Sequence, residues 1–521
     1  MKKSIAIAVI GFIGVLMACG SAYAWLGRMS GMGDPFGLVE DESDFLIHPA
    51  LIANGDGTHY YGDYRFTWDD VSGWNHIRTV PGAALPMNAS GQQFSNDAMV
   101  GVARPLGIGR LGVFFQYDGA RASYNGREIE TPFKYTDTFD LKSDFDQFAL
   151  KVLYGLPVCN YKLGFEAEVA YRTEDNQDDM LSNFGGGHFF SYHNIYFGRE
   201  FEDSNLLPYM LPFDSRFWET NLKTSFEGNI GGAKISATAH GGLLFSGESG
   251  LHLNSTAIPT TVPPGDLISE TTVFNGDTHG YQAGGDLFVR APLCPNLWLP
   301  LVVRVNYMEK DMNGAGKDVS TYNSVPALIP SPVTFQDDES DLRIQAGGGL
   351  DRDLGGGSRL AGGIYYNYIE TTVNYNYAFY YPPPVYYADY VPFPASQEHQ
   401  ILLRLVGEKQ VSPAATLRAG LNGFYGWVHE DFDHIEGNAG ASPFYYSRIP
   451  LDGTHWGIAA FAGGTVKCRC FTVEPFVGIG YQKFDASGGV PSVLYEPTRS
   501  ALYMDLAKAT TFVTTGFSIK Y

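Results

Sequence analysis

The sequence has few cysteines, few basic side chains and no long apolar run after its first residues. Beyond residue 24, no stretch approaches the ~20 apolar residues that a transmembrane helix needs. Lys and Arg number 35 against 56 Asp and Glu, a formal net charge of −21 that argues against nucleic acid as a partner. The five cysteines show no zinc-site spacing, because Cys468 and Cys470 have a single residue between them and no second pair lies nearby.

The first 24 residues have the three parts of a secretory signal peptide. Lysines at positions 2 and 3 precede an apolar run at 5–17, and Ala22–Ala24 has the form of a cleavage site. Cleavage after Ala24 removes both lysines and changes the formal charge from −21 to −23. Lipidation at Cys19 is the alternative, because residues 16–19 resemble a lipoprotein box. Export allows disulfides among the later cysteines, whose pairing the spacing leaves open: Cys159, Cys294, Cys468 and Cys470.

The clearest structural unit is a hairpin between Gln147 and Arg172. Apolar side chains at 148, 150, 152 and 154 alternate with polar ones, and after a turn at 157–160 the same alternation returns. Each strand is about ten residues long, the length that crosses a hydrocarbon layer when tilted. The pattern therefore predicts strands with one apolar face and one polar face.

The same unit occurs seven times, and one further strand lies at each end. The turns lie near residues 105–109, 157–160, 228–232, 292–295, 355–357, 412–413 and 467–470. The tally is sixteen strands, and an even number lets the first and last strands pair so that no sheet edge is open to lipid. The predicted fold is all-β: a closed antiparallel transmembrane barrel of about 16 strands over residues 58–521. Residues 25–57 are then an N-terminal periplasmic or plug segment.

Long polar or aromatic stretches alternate with the short turns. They lie at about 69–95, 120–143, 173–215, 247–276, 309–338, 372–396, 429–453 and 484–506. This asymmetry is typical of outer-membrane barrels, which have short periplasmic turns and long extracellular loops. The last strand ends on Tyr521 and resembles the closing strand of such barrels, in which the terminal aromatic is part of the signal read by the assembly machinery. We therefore expect the protein in the cell outer membrane. A soluble propeller or sandwich would not usually alternate so regularly.

If the apolar faces meet lipid, the alternate faces line the lumen. They carry charged side chains, which need water or partners. The predicted pore-lining residues are Arg65, Lys151, Glu166, Glu168, Arg172, Lys223, Arg290, Arg304, Arg343, Arg404 and Arg418. A barrel of this size is wide enough for a water-filled channel. The first functional hypothesis is therefore a porin that allows passive diffusion of small hydrophilic solutes or ions.

The longest predicted loop, Thr173–Ser215, is the third on its side of the barrel. It opens with an acidic group: Glu174, Asp175, Asp178 and Asp179. With this architecture, the chain resembles the general and substrate-selective porins of Gram-negative outer membranes. The resemblance implies that the loop folds inward and forms a constriction opposite a row of arginines.

A second resemblance implies a different function. Asp44–Ala50 is similar to the N-terminal Asn-Pro-Ala segment of the long-chain fatty-acid transporter family, with His48 where that family has Asn. This implies an outer-membrane transporter of hydrophobic compounds, in which residues 25–57 plug the lumen and gate the cargo. A structural or adhesive barrel is the third alternative.

Enzymatic motifs are missing from the sequence. It has no His-x-x-x-His metal pair suited to a helix and no G-x-S-x-G elbow. We expect no enzymatic activity, no catalytic residue, no metal and no cofactor. The expected partners are outer-membrane lipids, the barrel-assembly machinery and small solutes or ions. Association of three barrels into a homotrimer is left open.

Overall fold

The structure is a computed structural model that describes residues 27–33, 37–80, 84–130, 135–183, 213–257, 268–322, 325–326, 331–380, 386–436, 445–468, 471–491 and 501–521. Sixteen long strands form one antiparallel sheet. Their bounds are β1 His59–Val80, β2 Ala84–Leu106, β3 Gly109–Glu130, β4 Tyr135–Val158, β5 Tyr161–Asn183, β6 Phe213–Ile230, β7 Ala233–Ala257, β8 Ile268–Cys294, β9 Leu297–Tyr322, β10 Ser331–Gly355, β11 Ser358–Tyr380, β12 Tyr386–Ser412, β13 Ala415–Glu436, β14 Tyr445–Cys468, β15 Phe471–Pro491 and β16 Ala501–Lys520. A short bridge, Val325–Pro326, pairs with the end of β9.

The sheet is closed, because β1 pairs with β16 as well as with β2. The β1–β16 register runs from Tyr61 opposite Lys520 to Val80 opposite Ala501. Tyr60 and Tyr521 continue this seam by exchanging backbone hydrogen bonds of 3.0 and 2.9 Å. The remaining long strands pair with their neighbours in sequence. The structure thus confirms the predicted closed antiparallel barrel of sixteen strands.

Alternating side chains give the wall an apolar outside and a polar inside. In β4, Lys151 is 1% exposed whereas the next residue, Val152, is 38% exposed. Apolar residues at corresponding positions of other strands are also exposed, among them Phe165, Leu403 and Ile458. Such an outer surface is stable against hydrocarbon, and closure leaves no unpaired sheet edge within it. The protein is therefore a β-barrel of the outer membrane.

Short turns join the strands at the barrel end where β1 begins and β16 ends. Two residues suffice between several strand pairs, for example Gly107 and Ile108 between β2 and β3. Cys159 and Asn296 occupy positive-φ positions (56° and 64°) in two of these turns, a conformation that tight hairpins require. The predicted short connections are therefore present.

The strands extend beyond the lengths predicted from the sequence. They contain 18 to 27 residues, whereas about 9–11 suffice to cross the hydrocarbon layer. Part of each segment expected to be a loop is strand, so that in the region 69–95 β1 continues to Val80 and β2 begins at Ala84. Outside the membrane both faces of a strand meet water, so the apolar alternation that marks a spanning strand is lost while the backbone pairing continues.

Before β1, the described chain forms one helical turn, Gly27–Ser30, and two 3-10 turns, Glu42–Leu46 and Pro49–Asn54. No helix among the described residues is long and apolar enough to span a membrane. These turns lie inside the barrel, where the first contacts β14–β16 and the last contacts β3–β6.

Candidate functional site

The described N-terminal residues, 27–33 and 37–54, form a plug segment inside the barrel. Met32, Leu38 and Ala50 are at most 1% exposed, and Phe45 and Ile52 are 2% exposed. A segment that is buried on all sides within a closed wall occupies the lumen itself. The plug segment is therefore the feature from which the functional site is built.

Local sequence signals fix the turns of the plug segment. The backbone N–H of Ser43 donates to Asp41 Oδ1 (3.1 Å), and the N–H of Asp41 donates to Asp44 Oδ2 (2.9 Å). This reciprocal pair is a capping box that starts the turn Glu42–Leu46. Pro49 is the first residue of the next turn, where its missing N–H costs no hydrogen bond.

The C-terminal half of the plug segment lies on small side chains of β5, β6 and β7. The backbone N–H of Ala50 donates to Ser225 Oγ (2.6 Å), and Thr238 Oγ1 donates to the carbonyl of Ile47 (3.3 Å). A Cβ added to Gly164 would overlap the backbone of Ala50. Only glycine at that wall position allows so close an approach.

The N-terminal half is held on the opposite side of the barrel by Arg28. Its Nη1 donates to Asp41 Oδ2 (2.7 Å), and its Nε donates to Glu408 Oε2 (2.9 Å) on β12. Glu408 also accepts from Arg418 Nε (2.8 Å). A Cβ on Gly420 would overlap the carbonyl of Met32. The ion pair of Arg28 with Glu408 and the close approach of Met32 to Gly420 thus fix this half to β12 and β13.

Apolar residues of the wall face inward where the plug segment lies. One cluster joins Met29, Met32, Leu38 and Val39 to Phe288, Val302, Ala361, Tyr365, Leu402 and Val406 of the wall. A second cluster joins Phe45, Leu46 and Ile52 to Tyr61, Met99, Ala103, Phe114 and Leu153. The inner wall is therefore apolar in these two places, in contrast to the charged surface expected for a wet pore.

The predicted pore-lining residues lie on the inner face of the wall, buried or half-buried. Most form ion pairs within the wall, on the same strand or with a strand one or two positions away. The pairs are Arg65 with Asp97, Lys151 with Glu168, Lys223 with Glu166, Arg290 with Asp351, Arg304 with Asp286, Arg343 with Asp341, and Arg418 with Glu408 and Glu474. The guanidinium groups of Arg172 and Arg404 lie over the rings of Phe145 (4.6 Å) and Tyr365 (5.1 Å). A role in lining a pore stays a prediction.

Two of these wall cations also contact the plug segment. Lys223 Nζ donates to the carbonyl of Leu46 (3.3 Å), and Arg290 Nη1 lies 2.8 Å from Glu40 Oε2. Sequence reasoning placed these side chains correctly on the inner face but did not anticipate the segment that they hold.

Burial shifts the pKa of two groups in the plug segment in opposite senses. It raises the pKa of Asp44 to about 8, and the negative charge of Asp41 acts in the same direction. Burial lowers the pKa of His48 to about 4. Both side chains are therefore mainly uncharged at pH 7, which suits a segment enclosed by protein.

The predicted constriction loop needs a correction. Glu174, Asp175, Asp178 and Asp179 belong to strand β5, which continues to Asn183, and β6 begins at Phe213. Backbone pairing of β5 with β4 persists through Asn183, so the acidic group is part of the sheet and not of an inward-folded loop. The rest of the predicted loop, 184–212, lies outside the described residues.

Cysteines and acidic residues give no metal centre in the described part of the chain. Cys159, Cys294 and Cys468 are exposed free thiols near the short turns, whereas Cys19 and Cys470 lie outside the described residues. Across the residues that the structure describes, no three His, Cys, Asp or Glu side chains are placed to hold a metal ion.

Sequence reasoning missed the contacts between the plug segment and the wall. Gly164 and Gly420 fit an ordinary strand pattern, and Arg28 stands in a segment without periodicity. The only sequence signal was Asp44–Ala50, whose last residues, His48 to Ala50, lie against β6 and β7 in the structure.

Comparisons with known proteins give only loose similarity. No protein-family model and no curated protein sequence matches the chain. Among solved structures, a deltaS2S3 mutant of the monoaromatic hydrocarbon channel TodX is 12% identical, with a TM-score of 0.40 over 95% of this chain and 99% of that chain. A Pseudomonas aeruginosa FadL homologue is 10% identical, with a TM-score of 0.39 over 95% and 97%. The alcaligin outer-membrane receptor FauA from Bordetella pertussis is 10% identical, with a TM-score of 0.24 over 84% and 75%. Similarity at this level carries no argument about function.

Proposed function

We propose that the protein is an outer-membrane transporter of hydrophobic compounds, gated by its plug segment. The observation that carries this proposal is the plug segment itself, which lies in the lumen and packs against β3–β7 through its C-terminal half and against β12–β16 through its N-terminal half. A porin requires a permanently wet path, and the plug segment obstructs such a path where it is docked.

The apolar clusters favour a hydrophobic cargo. Moving the plug segment exposes wall residues such as Phe288, Val302 and Phe114, together with the apolar side chains that covered them. Each such side chain loses about 1.5–3 kcal/mol when it returns to water. A hydrophobic molecule that takes the vacated place offsets this loss, whereas a hydrophilic solute does not. The energetics of opening therefore select for apolar compounds.

The charged side chains of the wall are weaker support for the porin hypothesis than the sequence indicated. Most of its cations have carboxylate partners on neighbouring strands, with N–O distances such as 2.9 Å for Lys223 and Glu166 and 2.8 Å for Arg418 and Glu408. A buried charge that is paired avoids the high cost of an unpaired one, so these charges do not require a continuous water channel. The ion pairs thus fit a plugged barrel as well as an open one.

A reducible disulfide bridge between the plug segment and the wall tests the proposal. Ala50→Cys and Ser225→Cys place two thiols where the backbone N–H of Ala50 now meets Ser225 Oγ at 2.6 Å. The natural cysteines are replaced by serine so that only this bridge forms. Influx of the apolar dye N-phenylnaphthylamine into intact cells expressing the protein is then measured with the bridge oxidised and after reduction.

We expect dye influx to stop in the oxidised form and to return on reduction. Each single-cysteine variant is the matched control, and its influx should not respond to oxidation. In planar bilayers the wild-type protein should show little steady ion conductance. Steady conductance that oxidation leaves unchanged, together with dye influx equal to that of cells lacking the protein, would contradict the proposal and favour a porin.

A further inference from the structure

Two basic side chains, Arg352 on β10 and Lys409 on β12, lie on the lipid-facing side of the barrel at its short-turn end. Both are exposed. Leu350 and Val411, each two residues from one of them, are 50% and 55% exposed, so the cations share the outer face with these apolar side chains. Barrels of this class have their short turns on the periplasmic side. The two cations therefore lie at the level of the lipid head groups of the periplasmic leaflet.

The strand register places these cations on opposite sides of β11. Arg352 pairs with Leu360, and Lys409 pairs with Ser358, which is two residues nearer the turn. Because neighbouring strands are about 4.8 Å apart, β10 and β12 are separated by about 10 Å. The long side chains of arginine and lysine can therefore reach one head group from both sides.

Neither Arg352 nor Lys409 has an ion-pair partner in the part of the chain that the structure describes. The carboxylates next to them in sequence, Asp351 and Glu408, point to the inner face and bind other cations there. Lys409 Nζ donates to Ser358 Oγ (2.7 Å), which holds the ammonium group over β11. Its other N–H donors are left for a ligand.

The turn between β10 and β11 leaves open space beside the two cations. Its residues Gly355, Gly356 and Gly357 have positive φ values of 77°, 59° and 69°. A Cβ at Gly355 or Gly356 would meet no atom within 4 Å. The one carboxylate near this turn, Asp353, accepts from the backbone N–H of Gly355 (2.8 Å). A head group can thus approach without meeting side chains of the turn.

Other exposed cations of the outer surface are arranged differently. Toward the opposite end of the barrel, Arg121 Nε lies 3.2 Å from Asp144 Oδ1, and Lys483 Nζ lies 2.6 Å from Asp485 Oδ2. At the short-turn end, Arg104 on β2 is also exposed, but its pairing partner on β3 is Leu111. Two cations without carboxylate partners, one on each side of a single strand, thus distinguish β10–β12.

We propose that Arg352, Ser358 and Lys409 bind the anionic head group of a phospholipid in the periplasmic leaflet. Phosphate oxygens accept hydrogen bonds from guanidinium and ammonium groups, and the exposed side chains of Leu350 and Leu360 meet the acyl chains. A zwitterionic head group adds an ammonium group that both cations repel, so the site selects lipids with net negative charge. The site is on the outer surface and is therefore independent of the plug segment and of any compound that crosses the barrel.

The test is native mass spectrometry of the purified full-length protein during lipid titration. The probes are phosphatidylglycerol, which is anionic, and phosphatidylethanolamine with the same acyl chains, which is zwitterionic. Inorganic phosphate is added as a soluble competitor. The double variant Arg352→Gln with Lys409→Gln removes both charges of the site. Arg104→Gln is the matched control, because it removes one exposed cation at the same end of the barrel.

We expect the first phosphatidylglycerol to bind about tenfold more tightly than phosphatidylethanolamine. The double variant should abolish this preference, whereas Arg104→Gln should leave it unchanged. Ser358→Asp keeps both cations but places a carboxylate between them, and it should weaken phosphatidylglycerol binding as strongly. This single exposed change keeps the proposal testable if the double variant fails to assemble.

A preference for phosphatidylglycerol that persists in the double variant or in Ser358→Asp would overturn the proposal. Equal loss of the preference in Arg104→Gln would also overturn it, because the charge of the whole rim would then be responsible. Displacement of phosphatidylglycerol by an equal concentration of inorganic phosphate would show that the site binds a free anion and not a lipid.

Discussion

His48 of the plug segment and Thr238 of β7 share a buried hydrogen bond, with 2.6 Å between Nδ1 and Oγ1. Four charged residues influence His48 there: Asp286, Arg304, Glu227 and Lys223. Burial nevertheless has the largest effect and keeps the imidazole neutral. The docked plug segment therefore holds this imidazole in its neutral form.

Acidification should loosen the plug segment through His48. Burial lowers the pKa of His48 from 6.5 to about 4, so the docked state binds fewer protons than the released state between these values. The contribution of His48 is complete above pH 6.5 and is lost as the pH falls toward 4. A spin label on Leu51→Cys should become more mobile over this range.

In His48→Gln, which retains a hydrogen-bonding group for Thr238, this part of the pH response should vanish. An identical response in both proteins would show that His48 is not responsible. Asp44 acts in the opposite direction and is present in both proteins.

Enlarging Gly164 should displace the plug segment while the barrel stays folded. In Gly164→Ala the new methyl group overlaps the backbone of Ala50, which must move away from β5. We expect a measurable rise in ion conductance in planar bilayers. Gly62→Ala is the matched control, because a Cβ on Gly62 meets no atom within 4 Å. Equal conductance of the two variants would show that the wall does not hold the plug segment through Gly164.

The contact between Arg28 and Glu408 should stabilise the docked N-terminal half. Arg28→Met leaves Asp41 without its cation, and Glu408→Gln weakens the attachment to β12. For this partly buried pair we expect each single change to lower the free energy of docking by about 1–3 kcal/mol. The double variant should lose less than the sum of the two. Docking is measured by the accessibility of a thiol placed at Leu38, which lies in the N-terminal half and is buried. Strictly additive losses would indicate that the two residues act separately.

The two faces of the wall should respond differently to charge. Val152→Arg places a cation on the lipid-facing side and should cost about 2–4 kcal/mol of barrel stability in vesicles. The exchange Lys151→Glu with Glu168→Lys keeps an ion pair on the inner face, where the present N–O distance is 3.6 Å. This double variant should unfold in urea close to the wild-type concentration. Destabilisation as large as that of Val152→Arg would mean that the inner and outer faces are not distinguished as described.

Much of the fold could be predicted from the sequence because a membrane imposes period-two alternation on every spanning strand. Lys151 and Val152 alternate in the sequence as they do in the wall, and the turns around Gly107 and Cys159 stand where that alternation breaks. Beyond the membrane the constraint is relaxed. The continuation of β5 to Asn183 therefore left no apolar signal, and its acidic residues were interpreted as a loop.

The site could not be predicted to the same extent, because its contacts depend on closure of the barrel. Arg28 and Glu408 are 380 residues apart in sequence and meet only when β12 reaches the plug segment. Arg352 and Lys409 were not singled out either, since only the strand register places them on opposite sides of β11. The similarity at Asp44–Ala50 identified the correct segment but none of its wall partners.

Glu42 links the plug segment to both sides of the β1–β16 seam, since its carboxylate accepts from Tyr61 Oη (3.0 Å) on β1 and from Lys520 Nζ on β16. The plug segment is thus joined to both strands of the seam that closes the barrel. The contact with Lys520 requires β16 to be paired in the wall, so this part of plug docking depends on the strand that closes the sheet. A barrel whose β1–β16 seam is open cannot make both of these contacts at once, so an intact seam and a docked Glu42 support each other.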